Sequence, residues 1–431
     1  MAPQNHLSDI AGWRHRKKGF RGIPSICSAH PLVIEAAMLH AAKAQSLLLL
    51  EATCNQVNQD GGYTGMTPAD FRRFVEAIAD KLNFPMDRVI LGGDHLGPNP
   101  WKSLPADVAM DKAEEMIRAY AKAGFTKLHL DTSMGCKGEN VALPDELTAS
   151  RAARLAAAAE DAIAGSDATG PAYIIGTEVP IPGGAMEELD VLEVTQPEAA
   201  VRTVEIHAHA FKAAGAQAAF SRVIGVVVQP GVEFGNHNVV AFEPEKAREL
   251  SESLDRLPGL VFEAHSTDYQ TRDTLRELVS QGFAILKVGP GLTFALREAL
   301  YGLDQIATFL FPDRRAATLA SVTEAIMVEQ PGSWDKYYHG SPAEQYLQRH
   351  YSYSDRIRYY WPQERIANTV SELLDVFEDR IIPETMISQH LRALYPGVRA
   401  GAISPTAHGL IIGAIDLVLE DYSEACRTQP K

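Results

Sequence analysis

The chain has 431 residues, 46% hydrophobic and 22% charged, a globular balance that excludes wholesale disorder. Its 40 Lys and Arg against 55 Asp and Glu leave a net charge of −15, and the longest basic run is residues 14–18. Phosphate backbones and anionic membranes are therefore excluded as partners, whereas a small anion met by a few local cations is not. Cys27, Cys54, Cys136 and Cys426 lie far apart with no CxxC pair, and no apolar run approaches the ~20 residues of a membrane span, so a cytoplasmic protein without a disulfide scaffold is expected.

Residues 1–21 read as an N-terminal segment. From 22 to 305 short apolar runs alternate with segments of helical period. The runs are 23–27, 46–51, 88–93, 127–131, 172–178, 223–229, 260–265 and 284–289; helical periodicity follows at 68–82, 111–123, 198–214 and 269–281. Several runs are apolar on both faces, as parallel strands covered by helices are. Strand then helix, eight times over, predicts an α/β chain folded as a (β/α)8 TIM barrel. A doubly wound sheet would carry a Gly-rich first turn, and no GxGxxG follows the first run. From 306 to 431 strand-like runs become rare and helical patterns dominate at 316–328, 364–377, 383–394 and 411–422, which predicts a C-terminal helical extension.

In such a barrel the active site lies where strands end and helices begin. Residues 92–98 read Gly-Gly-Asp-His-Leu-Gly-Pro, placing Asp94 beside His95. An imidazole and a carboxylate there can divide metal binding from proton transfer; a helix cap beside a surface histidine has the same spelling. His129 and Asp131 are two apart and share one face of the fourth run, opposite Leu128 and Leu130. They suit a polar site or a hydrogen-bonded core pair. Glu178 ends the fifth run. Gln229, Glu233 and His237 follow the sixth, and Glu263 and His265 share a face of the seventh. Strand ends that offer His, Asp, Glu and Gln in succession fit a divalent metal, Zn2+ or Mn2+, with an open position for substrate. His95 and His265 are the expected ligands, with the third drawn from His237, Glu178, Gln229 or Glu233. Asp94 is then the acid–base group, with Glu178 and Asp131 as further catalytic carboxylates.

The eighth run leads from Lys287 through Gly289, Pro290 and Gly291 into a helix. With Ser266 and Thr267 of the preceding loop, these residues look like a phosphate site on backbone N–H groups, although an ordinary strand-to-helix turn reads alike. Residues 351–361 are dense in aromatics and carry Arg356 and Arg358, which supply cations to a phosphate or belong to a packing surface. His207 and His209 lie two apart in a helix and point to different faces. His30 and His350 have no evident partner in the sequence.

Together, Asp94-His95, the His129-Leu-Asp131 triplet, Gly-Thr-Glu-Val-Pro at 176–180, Val-Gln-Pro-Gly-Val-Glu-Phe at 228–234, Glu-Ala-His-Ser-Thr-Asp-Tyr-Gln at 263–270 and Leu-Lys-Val-Gly-Pro at 286–290 closely resemble the Z-type subunit of class II D-tagatose-1,6-bisphosphate aldolase. The resemblance runs from about residue 22 to the C-terminus. It implies a barrel acting on a ketohexose phosphate in tagatose and galactitol catabolism, either as a D-tagatose 6-phosphate 4-epimerase, as an accessory partner of a separate Y-type aldolase subunit, or as an aldolase in its own right. It also implies that the Asp94-His95 pair supplies the proton-transfer group and a zinc ligand, that His265 is a second ligand, and that the third histidine falls near Phe234, where His237 stands. Some relatives carry the label tagatose-6-phosphate kinase, but the chain has no GxxxxGK[ST] loop. A homo-oligomer is expected by analogy alone.

Overall fold

A computed structural model describes residue 7 and residues 9–14, 20–165, 170–177, 192–313 and 317–427. Ten strands occur among them: β1 (Ile23–Cys27), β2 (Leu48–Thr53), β3 (Val89–Leu96), β4 (Lys127–Leu130), β5 (Ala172–Ile175), β6 (Val223–Val228), β7 (Glu233–Phe234), β8 (Val239–Val240), β9 (Val261–Ala264) and β10 (Phe283–Val288). Eight of them close a parallel barrel in the order β1-β10-β9-β6-β5-β4-β3-β2. The remaining pair, β7 and β8, is a short antiparallel hairpin after β6. The predicted α/β barrel is thus the observed fold.

Local chemistry explains the alternation. The helix Pro68–Leu82 opens on a capping box between Thr67 and Asp70, carries Pro at its first position and stops where Asn83 turns left-handed. Its buried face, Phe71, Val75 and Ala79, covers the sheet from outside. Strand residues divide by parity. Leu48, Leu50, Leu91, Leu128, Leu130, Phe262 and Leu286 face the helices, whereas Ile23, Leu49, Ile90, Ile174, Val261 and Ile285 form a separate apolar cluster within the barrel. Leu7 and Ile10 join that inner cluster, so the N-terminal segment plugs the end of the barrel remote from the strand C-termini.

The expected boundary between barrel and extension at 305/306 falls inside one continuous helix, Pro290–Leu310. The last helix, Ala407–Cys426, packs against Pro31–Ala44, Arg272–Ser280 and Pro290–Leu310, and so takes a place in the outer ring. Asp355, in the segment between the later helices, accepts hydrogen bonds from Thr293 Oγ1 at 2.6 Å and Arg297 Nε at 3.1 Å. That ties residues 351–361 to the barrel's mouth. No helix among the described residues is long and apolar enough to cross a membrane.

Candidate active site

Above the apolar plug, the inward positions change from hydrocarbon to charge. Glu51 of β2, Lys127 of β4, Glu263 of β9 and Lys287 of β10 meet in the barrel's centre, with Asp94 of β3 above them. Lys127 Nζ lies 2.6 Å from Glu51 Oε1 and 2.8 Å from Glu263 Oε2. Lys287 Nζ lies 2.7 Å from both Glu51 Oε2 and Asp94 Oδ1. Burial opposes charge on Lys127, Glu263, Lys287 and Asp94, yet their partners prevail. Glu263 is held well below the usual carboxylate range by Lys127 and Lys287, and Lys287 is pushed well up by Asp94 and its other anionic neighbours. Gly92 makes room for this layer, since a Cβ there would stand 2.7 Å from Glu51 Cγ.

Three imidazoles crowd the mouth above it. The ring centroids of His95, His129 and His265 are 5.1, 4.9 and 5.0 Å apart in pairs. Each ring is oriented by a carboxylate, the arrangement that orients metal-binding histidines. His95 Nδ1 is 2.7 Å from Asp131 Oδ2, His129 Nδ1 is 2.9 Å from Asp94 Oδ1, and His265 Nε2 is 3.0 Å from Glu263 Oε1. The chain pays for this convergence in its backbone: His95 and Ser266 hold φ of 49° and 53°, a left-handed state costing about 1–2 kcal/mol per residue. Gly97 lets the end of β3 press onto the end of β4, where a Cβ would stand 1.7 Å from the Asp131 carbonyl oxygen.

These residues fit a divalent metal. Asp94, His129, Glu263 and His265 each bring one donor atom within 4.8 Å of the others. His129 Nε2 is buried with no hydrogen-bond partner among the described residues, an arrangement that costs roughly 1–3 kcal/mol unless something binds it. Burial lowers the His265 pKa to about 3, so its ring is neutral and can donate a lone pair. Asp94 stays ionised: burial would raise its pKa, but His95, Lys287 and His129 hold it well below the usual range.

Of the residues singled out in the sequence, Asp94, His95, Asp131 and His265 come together at the mouth. His237 does not. It lies exposed in the turn between β7 and β8, because the hairpin carries it into solvent. The third imidazole is His129, which the alternation on β4 points inward. Gln229 Oε1 caps the turn after β6 by accepting from Gly231 and Val232 N–H. Glu233 is buried, accepting from Phe234 N–H. Glu178 lies outside the described residues. His350, without an evident partner in the sequence, bonds Tyr301 Oη at 2.7 Å and pairs with Glu324. Glu51 and Lys127 carry only one signal in the sequence, a charge inside an otherwise apolar run.

The cleft is lined by Ser266, Asp268, Lys287, Gly289 and Arg358, together with Cys27, Gln56, Tyr63 and Tyr359. Arg356 turns away from it, stacked over Tyr337 and bonded to the Ser333 carbonyl. The N–H groups of Gly289 and Gly291, expected to receive a phosphate, both donate to Asp268 Oδ1.

A family model described as D-tagatose-1,6-bisphosphate aldolase subunit GatZ/KbaZ-like matches residues 7–427. Among solved structures, the chain is similar to a probable tagatose 6 phosphate kinase from Sinorhizobium meliloti 1021: 66% identity, TM-score 0.88, covering 94% of this chain and 100% of that one. A fructose-bisphosphate aldolase from Campylobacter jejuni matches at 14% identity and TM-score 0.45, covering 92% and 96%. The YdjI aldolase from Escherichia coli K12 matches at 14% and 0.42, covering 85% and 97%. The chain belongs to the GatZ/KbaZ-like family of D-tagatose-1,6-bisphosphate aldolase subunits.

Proposed function

We propose that this chain breaks and remakes the C3–C4 bond of a ketohexose 6-phosphate and so interconverts D-tagatose 6-phosphate and D-fructose 6-phosphate, a 4-epimerisation. The observation that carries this reading is the convergence of three carboxylate-oriented imidazoles on the ionised Asp94 at the barrel mouth. A chain kept only as an accessory surface has no need of that constellation.

The chemistry sets the demands. The C4 hydrogen is not α to the C2 carbonyl, so enolisation cannot invert C4, whereas retro-aldol cleavage followed by addition to the other face of the aldehyde can. A divalent cation, Zn2+ or Mn2+, would be held by His95, His129 and His265, and when bound it supplies positive charge to ketose oxygens that turn anionic as C3–C4 breaks. Asp94 Oδ1 is held by Lys287 and His129, while the neighbours of Oδ2 stand off at 3.7 Å (His95 Nε2) and 3.9 Å (Cys27 Sγ). Oδ2 is therefore the atom that takes the C4 hydroxyl proton and returns it after the aldehyde half has turned. Arg358 in the cleft wall tethers the phosphate, which keeps that half in place while it turns.

The test uses the purified chain with Mn2+ or Zn2+ and D-tagatose 6-phosphate, following D-fructose 6-phosphate and triose phosphate. Metal-dependent fructose 6-phosphate, abolished by EDTA, is the expected result. Asp94→Asn is expected to lower kcat by about 10²–10⁴-fold, the usual worth of a general acid–base. Net triose release from the 1,6-bisphosphate would assign aldolase chemistry instead. Turnover seen only after a Y-type subunit is added would leave the accessory role.

A further inference from the structure

The two backbone N–H groups that open the helix Pro290–Leu310 are already occupied. Gly289 and Gly291 donate to Asp268 Oδ1 at 2.9 and 2.7 Å, and a Cβ at residue 291 would stand 3.1 Å from that same oxygen. Asp268 is only 3% exposed, yet it forms part of the cleft wall beside Ser266 and Gly289. A carboxylate fixed there uses the donors that a phosphate would need at a helix start. It also repels any phosphate brought alongside. It is not itself saturated, since a carboxylate offers about four lone-pair sites and the two glycines use two. What it can still accept is a hydroxyl proton.

Arg358 presents the opposite chemistry in the same wall. Its guanidinium donates to the carbonyls of Ser354 and Asp355 and to Tyr359 Oη, and it has no carboxylate within ion-pair distance among the described residues. Lys287, the other cation of the cleft, is held by Glu51 and Asp94. Among the described residues the cleft therefore offers one cation with no carboxylate at ion-pair distance and one filled anion cradle.

We infer that Asp268 is a specificity-determining residue: it receives the hydroxyl-bearing end of a ketose monophosphate and excludes a second phosphate from that end, with Arg358 anchoring the only phosphate. This rests on the ketose-phosphate reading above. Asp268 touches substrate in this account but moves no proton of the reaction.

The experiment measures binding by calorimetry on the full, metal-loaded chain, with D-tagatose 6-phosphate and D-tagatose 1,6-bisphosphate as ligands. The wild type is expected to bind the monophosphate at least tenfold more tightly. Asp268→Ser frees both glycine N–H groups and should shift that ratio toward the bisphosphate by tenfold or more. Asp268→Asn keeps an oxygen for the two N–H groups, so it preserves the turn while removing the charge, and should shift the ratio the same way; it decides the matter if the serine variant fails to fold. Equal binding of the two sugars by the wild type, or a ratio unchanged in Asp268→Asn, overturns the inference. Because binding is read, a chain that discriminates as expected but turns over neither sugar refutes the epimerase reading alone. Failure of the wild type to bind either sugar removes both.

Discussion

Replacing Lys127 by Met tests the buried charge layer most directly. The Lys127 side chain is fully buried between Glu51 and Glu263, themselves fully buried, with Nζ at 2.6 and 2.8 Å from their oxygens. Met has similar volume, so no cavity opens, and the change isolates charge. Three buried carboxylates, Glu51, Glu263 and Asp94, are then left to Lys287, which sits 3.9 Å from Glu263. Breaking a buried ion pair by removing one partner costs about 3–5 kcal/mol, against a total stability of about 5–15 kcal/mol. At 1.4 kcal/mol per tenfold, the folded-to-unfolded ratio falls by about 10²–10⁴. The sign of the pH dependence follows. Lys127 and Lys287 now hold Glu263 well below its ordinary range against the push of burial; without the Lys127 ammonium the folded pKa rises. The variant's folded state therefore holds a proton over a range in which wild-type Glu263 is already ionised, so the deficit grows as pH rises from below the ordinary carboxylate range to the variant's raised folded pKa. Urea unfolding in excess EDTA, which removes metal linkage, reads the effect. Lys127→Met with Glu263→Gln should recover much of the loss, because the uncompensated charge goes with it. A single variant within about 1 kcal/mol of wild type at pH 8, or a double variant showing simple additivity, would refute this account.

Three further outcomes are expected. His129→Ala should abolish tight divalent-metal binding measured by elemental analysis after dialysis, whereas His237→Ala should leave the metal content unchanged; the reverse would restore the hairpin histidine as ligand. Burial raises the Glu233 pKa to about 7, so the folded state holds a proton that the unfolded chain has lost, and stability should fall as pH rises from about 4.3 toward 7. Glu233→Gln should flatten that part of the profile in urea midpoints, and an unaltered slope would count against the shift. Arg358→Gln should raise KM for the sugar phosphate by about 10–100-fold, the worth of a charge-assisted hydrogen bond of roughly 1.5–3 kcal/mol, while Arg356→Gln should lower the unfolding midpoint with little change in KM.

The architecture is legible from the order of residues alone. Apolar runs such as 223–229 cannot be solvated on either face, and the caps and turn residues between them leave few ways to connect the strands. Six of the eight runs match their strands to within two residues at each end; the run at 88–93 extends to Leu96 as β3, and the run at 172–178 gives a strand that ends at Ile175. The sequence also places Asp94, His95, Asp131 and His265 at strand ends, where a barrel gathers polar groups. Which of them meet depends on how the barrel closes. His129 replaces His237 in the imidazole cluster because strand parity turns it inward and closure sets the neighbouring strands β3 and β4 across the barrel from β9, a neighbourhood that spacing along one chain does not encode. The balance of Glu51, Lys127, Glu263 and Lys287 exists only once the barrel is closed, since each charge lies on a different strand and is tolerable inside only with the others present. The Gly-Pro-Gly turn reads as an open anion site until folding carries Asp268 onto its N–H groups.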